Sequence, residues 1–263
     1  MNGSVAIVTG GNSHLGSAIA RAFVDAGASV VIAARDAERG DAAARDLGAL
    51  FVRTDLAEDA SIAGCVAATL EHFGRLDFLV NNAVAYIDGG LETTREDWVY
   101  ALNVNVAGTA IFVREASREM ERGSAIVNLG SVGGKFGAAG RSVYPASKAA
   151  ILQLTKNQAV ELAPRGIRVN SVSPGWTWSD PLARMAGGSR ELADRAAAST
   201  QPLGRAGDAA EVGAAVVFLC SPGASFITGA DLAVDGGYSM LGPDQGRGPR
   251  YWIDHAEVDD EIP

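Results

Sequence analysis

Short apolar runs rich in β-branched residues alternate with longer amphipathic stretches along most of the chain. Seven runs have the length and composition of buried strands: Val5–Thr9, Ser29–Ala34, Leu50–Thr54, Asp77–Asn81, Ala125–Leu129, Ile167–Val172 and Asp231–Val234. Six stretches between them carry apolar residues at helical spacing: Leu15–Ala26, Ala37–Leu47, Ala60–Phe73, Arg95–Arg122, Ser142–Ala163 and Ala209–Cys220. Because strands joined through helices form right-handed crossovers, this order predicts a doubly wound α/β fold, with a seven-stranded parallel sheet and helices on both faces.

The alternation covers residues 1–240, and no Pro/Gly/Ser-rich linker divides them, so we expect a single domain. Two segments fall outside the pattern. Residues 174–206 follow the sixth strand, where a ligand crevice opens in folds of this kind, and we expect a partly mobile lid over the substrate. Residues 241–263 end in a run of carboxylates and are expected to form an extended acidic tail.

The composition excludes several kinds of partner and site. The chain has 22 Lys and Arg against 31 Asp and Glu, and its net charge of −9 repels nucleic acid and anionic lipid. Cys65 and Cys220 lie far apart and lack disulfide or zinc-site spacing, so we expect no metal. No apolar run approaches the ~18 residues of a membrane span, and the first residues lack the basic region of a signal peptide. These features predict a cytoplasmic protein whose partners are neither nucleic acid nor membrane surfaces.

A glycine-rich turn, Thr9 to Gly16, follows the first predicted strand and opens the first helix. In doubly wound folds this is where a dinucleotide pyrophosphate contacts backbone N–H groups at the positive end of the helix dipole. The turn by itself also suits a tight structural connection without a ligand.

Ser131, Tyr144 and Lys148 form the second candidate constellation, with the serine just after a strand and the other two on one helix. Tyr144 and Lys148 are four residues apart and share a helix face, so the ammonium can lie near the phenol and lower its pKa from about 10. That would make Tyr144 a usable acid at neutral pH. The alternative is that Tyr144 packs against the sheet while Lys148 extends to solvent.

From about Ser4 to Ser239, the chain resembles the short-chain dehydrogenase/reductase family, whose members have the Rossmann fold. The matching pieces, in order, are Thr9-Gly10, Gly16, Asp55, Asn81-Asn82-Ala83, Asn105, Ser131, Tyr144-Pro145-Ala146-Ser147-Lys148, Asn170, Pro174-Gly175 and Asp235-Gly236-Gly237. The resemblance implies an oxidoreductase that interconverts a ketone and a secondary alcohol with NAD(P)(H). In that reaction a neighbouring acid and a hydroxyl donor stabilise the charge that develops on the substrate oxygen.

The resemblance also implies a role for each site residue. Tyr144 is the proton donor or acceptor, Ser131 bonds the substrate oxygen, Lys148 binds the nicotinamide ribose and lowers the tyrosine pKa, and Asn105 anchors a proton-relay water. The residues expected to contact the cofactor are Gly10, Asn12, Ser13, His14, Leu15, Gly16, Arg35, Asp55, Leu56, Asn82, Ala83, Tyr144, Lys148, Pro174, Gly175 and Thr177.

Two positions depart from the family pattern. His14 stands where the turn usually has its middle glycine, so it either shifts the turn or places an imidazole over the pyrophosphate, unless its ring faces solvent or neighbouring helices. Val84 replaces the glycine that usually follows Asn-Asn-Ala, and it adds bulk near the cofactor ribose.

Cofactor preference is expected to depend on the end of the second strand. Sites for NAD usually place a carboxylate there to hold the ribose hydroxyls, but this chain has Ala34 followed by Arg35. A guanidinium suits the 2′-phosphate of NADP, so NADP(H) is favoured. The alternative is that Arg35 stacks on adenine while Asp36 contacts the ribose, which permits NAD(H).

The substrate and the assembly are less constrained. Trp176 and Trp178 could line an apolar or ring-shaped pocket or pack within the lid. The apolar faces of Arg95–Arg122 and Ser142–Ala163 resemble those that pair in the family's oligomers, which implies a homotetramer. The main alternative function is a dinucleotide-sensing module without turnover. A nucleotide-sugar epimerase or dehydratase is disfavoured by the short C-terminal region.

Overall fold

The computed structural model of the chain describes residues 1–256, and in that range seven parallel strands form one sheet. The strands are β1 (Val5–Thr9), β2 (Ser29–Ala34), β3 (Leu50–Arg53), β4 (Phe78–Asn81), β5 (Ala125–Leu129), β6 (Arg168–Pro174) and β7 (Asp231–Val234). Their spatial order is β3-β2-β1-β4-β5-β6-β7. The predicted doubly wound α/β fold is confirmed, and the main shift in a strand is that β6 runs on to Pro174.

Ten α-helices lie within the described residues. They are α1 (His14–Asp25), α2 (Ala37–Leu47), α3 (Asp59–Phe73), α4 (Arg95–Leu102), α5 (Thr109–Glu119), α6 (Val143–Leu162), α7 (Asp180–Met185), α8 (Arg190–Ala197), α9 (Ala209–Cys220) and α10 (Pro249–Asp254). None of them is long and apolar enough to cross a membrane.

The helix predicted over Arg95–Arg122 is present from Arg95 to Glu119, but a π-helical turn at Asn103–Gly108 divides it into α4 and α5. Two contacts fix this widened turn. Thr109 Oγ1 donates to the Asn105 carbonyl at 2.9 Å, and Gly108 lies so close to Leu56 that an added Cβ would be 2.4 Å from its carbonyl oxygen. The apolar spacing continues through this region, so the interruption comes from tertiary contacts rather than from the helical pattern.

The central strands of the sheet are buried on both faces, which explains why β1 and β2 are almost entirely apolar, while the edge strands β3 and β7 are only partly buried. Alternate side chains of one strand enter opposite cores: Ile7 packs into the layer with α3 and α5, and Val8 packs into the layer with α1 and α9. The strand order reverses between β1 and β4, and the carboxyl ends of these two strands open a crevice there.

The two segments outside the alternation contain short helices. Residues 174–206 begin at the end of β6 and carry α7 and α8. The C-terminal segment was expected to be extended, and this is wrong for residues 249–254, which form α10. Within this helix, Arg250 and Asp254 pair one turn apart at 3.2 Å. Residues 257–263, which carry most of the acidic end, lie outside the described residues.

Candidate active site

A cavity of about 1600 Å³ opens at the carboxyl edge of the sheet. It is bounded by the glycine turn, the ends of the central strands, the start of α6 and the 174–206 segment. Most of the predicted site residues line it: Gly10, Asn12, Ser13, His14, Leu15, Arg35, Asp55, Leu56, Asn82, Ala83, Ser131, Tyr144, Lys148, Pro174, Gly175 and Thr177. Gly16 and Asn105 lie behind this wall and support it.

The glycine turn is shaped by close backbone packing. Gly10 has a positive φ of 64°, and a Cβ on Gly16 would lie 2.1 Å from the Gly10 carbonyl oxygen. Ser13 caps α1, its hydroxyl accepting from the Gly16 amide at 3.1 Å. The first amides of α1 therefore face the cavity at the positive end of the helix dipole, where an anion is stabilised.

Asn82 braces this turn from β4. Its Nδ2 donates to the Thr9 carbonyl at 2.9 Å and to the Gly10 carbonyl at 3.3 Å. The Thr9 hydroxyl accepts from the amides of Asn82 and Ala83 at 2.9 and 3.0 Å. The side chain of Asn82 thus fixes the relative position of β1 and β4 at the crevice.

His14 and Val84, the two positions that depart from the family pattern, both border the cavity. His14 is the first residue of α1, and its exposed ring borders the cavity. Because its backbone is helical, this position does not require glycine. A contact of its imidazole with the pyrophosphate, or a shift of the turn, stays a prediction. Val84 is 37% exposed and also lines the cavity.

Ser131 and Tyr144 meet beside the end of β5. Ser131 caps a short 3₁₀ turn, where its Oγ accepts from the Gly133 amide at 3.0 Å. Tyr144 lies in the first turn of α6. Burial raises the pKa of the Tyr144 phenol above its usual value, and the neighbouring Ser131 hydroxyl partly offsets this.

Lys148 is buried one turn along α6, and its Nζ donates to the Leu129 carbonyl at 2.7 Å. Burial lowers the pKa of Lys148 to about 8. Its Nζ lies 5.8 Å from the centre of the Tyr144 ring, and desolvation is the largest influence on the pKa of the phenol. The expectation that Lys148 lowers the pKa of Tyr144 stays a prediction.

Asn105 lies in the π-helical turn and clamps the segment after β4. Its Oδ1 accepts from the Ala85 amide at 2.7 Å, while Nδ2 donates to the Ala85 carbonyl at 3.1 Å and to Ser147 Oγ at 3.2 Å. The side chain therefore holds this segment against α6. Anchoring of a water by Asn105 stays a prediction.

Three arginines surround the far end of the cavity, beside β2 and β3: Arg35, Arg39 and Arg53. Arg35 Nη1 donates to the Tyr100 hydroxyl, so its guanidinium has a defined position. Asp36 caps α2, with its Oδ1 accepting from the Arg39 amide at 3.0 Å.

The two tryptophans after Pro174 have different environments. Trp176 is 38% exposed and lines the cavity. The Trp178 amide donates to Gly207 at 2.8 Å, and the Arg190 guanidinium lies 5.7 Å from its ring centre, so Trp178 packs within the lid segment. Buried Gln201 ties this segment together, its Oε1 accepting from the Trp176 amide at 2.9 Å.

Sequence reasoning missed a cluster beside Tyr144 that consists of Tyr86, Asp88 and Arg141. The rings of Tyr86 and Tyr144 lie 4.5 Å apart, and the Arg141 guanidinium is 5.2 and 5.4 Å from their centres. Arg141 also pairs with Asp88 at 3.1 Å. The cluster joins two irregular loops, and no periodicity connects them. The only local signal is that Arg141 lies three residues before Tyr144.

Substitution of Gly16 by alanine is expected to deform the turn and destabilise the protein by about 1–3 kcal/mol, since the new Cβ meets the Gly10 carbonyl. Dinucleotide affinity should fall as well. Gly64→Ala is the matched control, because that helical position has open space and alanine there is expected to be neutral or stabilising. Thermal unfolding and cofactor titration of both variants check this; a wild-type Tm and affinity for Gly16→Ala would contradict it.

The chain matches a family model and several known proteins. A family model described as "Enoyl-(Acyl carrier protein) reductase" matches residues 10–239. The chain is similar to L-fucose dehydrogenase of Oryctolagus cuniculus, with 40% identity over 90% of this chain and 86% of the relative. It is also similar to cis-4-hydroxycyclohexanecarboxylate dehydrogenase of Sinomonas cyclohexanicum, with 40% identity over 90% of this chain and 97% of the relative.

Two solved structures have the same fold. A short-chain dehydrogenase/reductase mutant of Serratia marcescens superposes with a TM-score of 0.83 at 36% identity, over 90% of this chain and 98% of that one. A blue fluorescent protein from a metagenomic library, in complex with NADPH, has a TM-score of 0.83 at 33% identity over the same shares. The chain belongs to the short-chain dehydrogenase/reductase family.

Proposed function

We propose that this chain interconverts a secondary alcohol and a ketone by hydride transfer with NADP(H), using Tyr144 as the general acid and base. The observation that carries the proposal is that Ser131, Tyr144 and Lys148 line the same cavity as the glycine turn. A proton-transfer group and a dinucleotide-type anion site therefore share one cavity, as the chemistry requires.

The residues of the cavity fit a dinucleotide. The first amides of α1 face the cavity, and Gly10 and Gly16 leave room for the close backbone approach that a Cβ would block. When bound, the nicotinamide ring accepts or supplies the hydride. Pro174, Gly175 and Thr177 line the cavity at the end of β6, and we assign them to the nicotinamide side.

Tyr144 and Ser131 handle the proton at the substrate oxygen. In ketone reduction, the Tyr144 Oη gives its proton to the developing alkoxide, and in alcohol oxidation it takes the proton back. Because burial raises the pKa of the phenol, Tyr144 is protonated at neutral pH and is ready as a donor for reduction. The Ser131 hydroxyl can stabilise the same oxygen by donating a hydrogen bond.

Lys148 is suited to hold a ribose hydroxyl at the base of the cavity. Its pKa of about 8 leaves the ammonium mostly charged at neutral pH, despite complete enclosure. The bond to the Leu129 carbonyl uses one of its three N–H donors and fixes its position. The other donors can bond a cofactor hydroxyl and bring positive charge toward Tyr144.

The preference for NADP(H) is supported by the charges at the end of β2. Ala34 is buried and supplies no carboxylate for the ribose, while Arg35, Arg39 and Arg53 offer guanidinium groups at that end of the cavity, alongside the carboxylates of Asp36, Asp55 and Glu58. Asp36 is engaged as the cap of α2, which argues against its holding the ribose for NAD(H). The NADPH complex of a structural relative agrees with this preference.

Arg35→Ala is expected to weaken NADPH binding about ten- to hundredfold, the loss of one charge-assisted hydrogen bond. NADH binding should change little, and the difference should shrink as salt screens the pair. Adding Ala34→Asp to this variant should lower the affinity for NADPH further relative to that for NADH, because a carboxylate repels the 2′-phosphate. Fluorescence titrations of both cofactors measure this, with exposed Arg45→Ala on α2 as the control. Equal weakening of both cofactors would assign Arg35 to adenine stacking instead.

The substrate is best sought by assaying sugars, polyols, hydroxycarboxylates and simple ketones with both cofactors. Turnover of at least one secondary alcohol or ketone supports the proposal, and its absence over the whole set contradicts it.

We also propose a homotetramer, for which the exposed Val99 on α4 and Val160 on α6 are candidate contacts. Light scattering of the purified protein measures the mass of the assembly.

A further inference from the structure

The charged groups nearest Tyr144 in the cavity are cations, whereas most carboxylates of the lining lie beside β2 and β3. Tyr144 lines the cavity together with apolar residues that include Phe136, Leu182, Met185, Leu192 and Ala196. The carboxylates of the lining belong to residues 36–58 or to Asp180, which pairs with Arg39 at 3.8 Å. Among the described residues, Arg141 and Lys148 are the two cations of the lining that lie beside Tyr144, at 5.4 and 5.8 Å from its ring centre, and Lys148 is already bound to Leu129.

Arg141 is held in place by two neighbours. Its Nη2 donates to the Tyr86 hydroxyl, and its Nε lies 3.1 Å from Asp88 Oδ2, without the alignment of a hydrogen bond. The guanidinium also packs 5.2 Å from the centre of the Tyr86 ring. A long, flexible side chain is thus ordered at the cavity wall, which reduces the entropy lost when it binds a ligand.

The counter-ion of Arg141 does not face the cavity. The Asp88 side chain is 6% exposed and lies behind the wall, where its Oδ1 accepts from the Ser142 amide at 2.6 Å and from Ser142 Oγ at 3.2 Å. Arg141 is 32% exposed and lines the cavity. Within residues 1–256, its Nη1 donates no hydrogen bond, so this edge is available to a ligand.

We propose that Arg141, positioned by Tyr86 and Asp88, binds a carboxylate of the substrate, so that the substrate is a hydroxy- or oxocarboxylate with a hydrocarbon body. A planar guanidinium matches the two oxygens of a carboxylate, and a low-dielectric surrounding strengthens the pair. The apolar lining suits a hydrocarbon ring or chain better than a polyol. This inference rests on the proposed function, whose reaction at Tyr144 places the substrate beside Arg141.

Binding of two matched ligands tests the inference without turnover. Cyclohexanecarboxylate and cyclohexanecarboxamide have the same body and differ in charge, and each can be titrated by calorimetry into the protein saturated with NADPH. We expect the wild type to bind the carboxylate about ten- to hundredfold more tightly, as for one charge-assisted pair. Arg141→Met should abolish this preference, and Arg45→Met on the outer surface of α2 should keep it.

The outcomes separate this inference from the proposed function. Equal affinities in the wild type, or a preference that persists in Arg141→Met, would overturn the inference even if alcohols are oxidised. The protein could also prefer the carboxylate and yet oxidise no alcohol. That result would support Arg141 as an anion site and would contradict only the proposed reaction. If Arg141→Met does not fold, Arg141→Gln replaces it, since the amide can keep the bond to Tyr86 while removing the charge, and it too should lose the preference.

Discussion

Replacing Tyr144 by phenylalanine is expected to lower kcat by at least about a hundredfold while leaving dinucleotide affinity close to that of the wild type. The ring still packs against Tyr86, at 4.5 Å between centres, so the wall of the cavity is kept. The hydroxyl that exchanges a proton with the substrate is removed, and general acid–base catalysis is worth about two to four orders of magnitude.

Steady-state kinetics and fluorescence titration of NADPH check this prediction. Tyr251→Phe on α10 is the matched control and should retain wild-type kcat, because Tyr251 contacts Arg247 and His255 rather than the cavity. A kcat near the wild-type value in Tyr144→Phe would remove Tyr144 from the reaction.

Lys148→Met is expected to weaken cofactor binding and to reduce kcat, each by about tenfold or more. The methionine fills the buried space, but the Leu129 carbonyl loses its donor and the cavity loses its innermost cation. Exposed Lys156→Met on the same helix is the control and should change neither quantity. A change confined to substrate KM would contradict the assignment.

The pH dependence of cofactor affinity gives a second test of the role of the Lys148 ammonium in cofactor binding. Its pKa is lowered to about 8, so its ammonium is present below that pH and is lost as the pH rises through it. Tyr144 has a raised pKa and stays neutral in this range, so it does not add a charge of its own. NADPH affinity in the wild type should therefore fall above about pH 8, and the affinity of Lys148→Met should be flat there. A fall of equal size in the variant would assign the titration to another group.

The sheet was predictable because its central strands are buried. Central strands covered by helices on both faces are mostly apolar, and Val5–Thr9 and Ala125–Leu129 are recognisable for that reason. The π-helical turn at Asn103–Gly108 was not predictable, because its cause is the contact of Gly108 with Leu56, more than fifty residues earlier in the chain. Periodicity within one segment carries no information about such contacts.

The catalytic candidates were predictable for a local reason. The cluster of Tyr86, Asp88 and Arg141 was not. Tyr144 and Lys148 share a face by helical spacing, and Ser131 follows a strand that ends at the same edge. Tyr86 and Arg141 meet only through tertiary structure that joins two irregular loops. The direction of the Tyr144 pKa shift also depends on how deeply the phenol is buried, which helical spacing does not reveal.

Product analysis tests the central claim most directly. The purified protein is incubated with NADP⁺ and a set of secondary alcohols that includes hydroxycarboxylates, and NADPH is measured by absorbance while the ketone is measured by mass spectrometry. We predict that NADPH and the matching ketone appear in equal amounts for at least one alcohol, and that Tyr144→Phe forms both at least about a hundredfold more slowly. Tight cofactor binding with no conversion of any alcohol, or of any ketone in the reverse direction, would contradict the account and favour a dinucleotide-sensing protein.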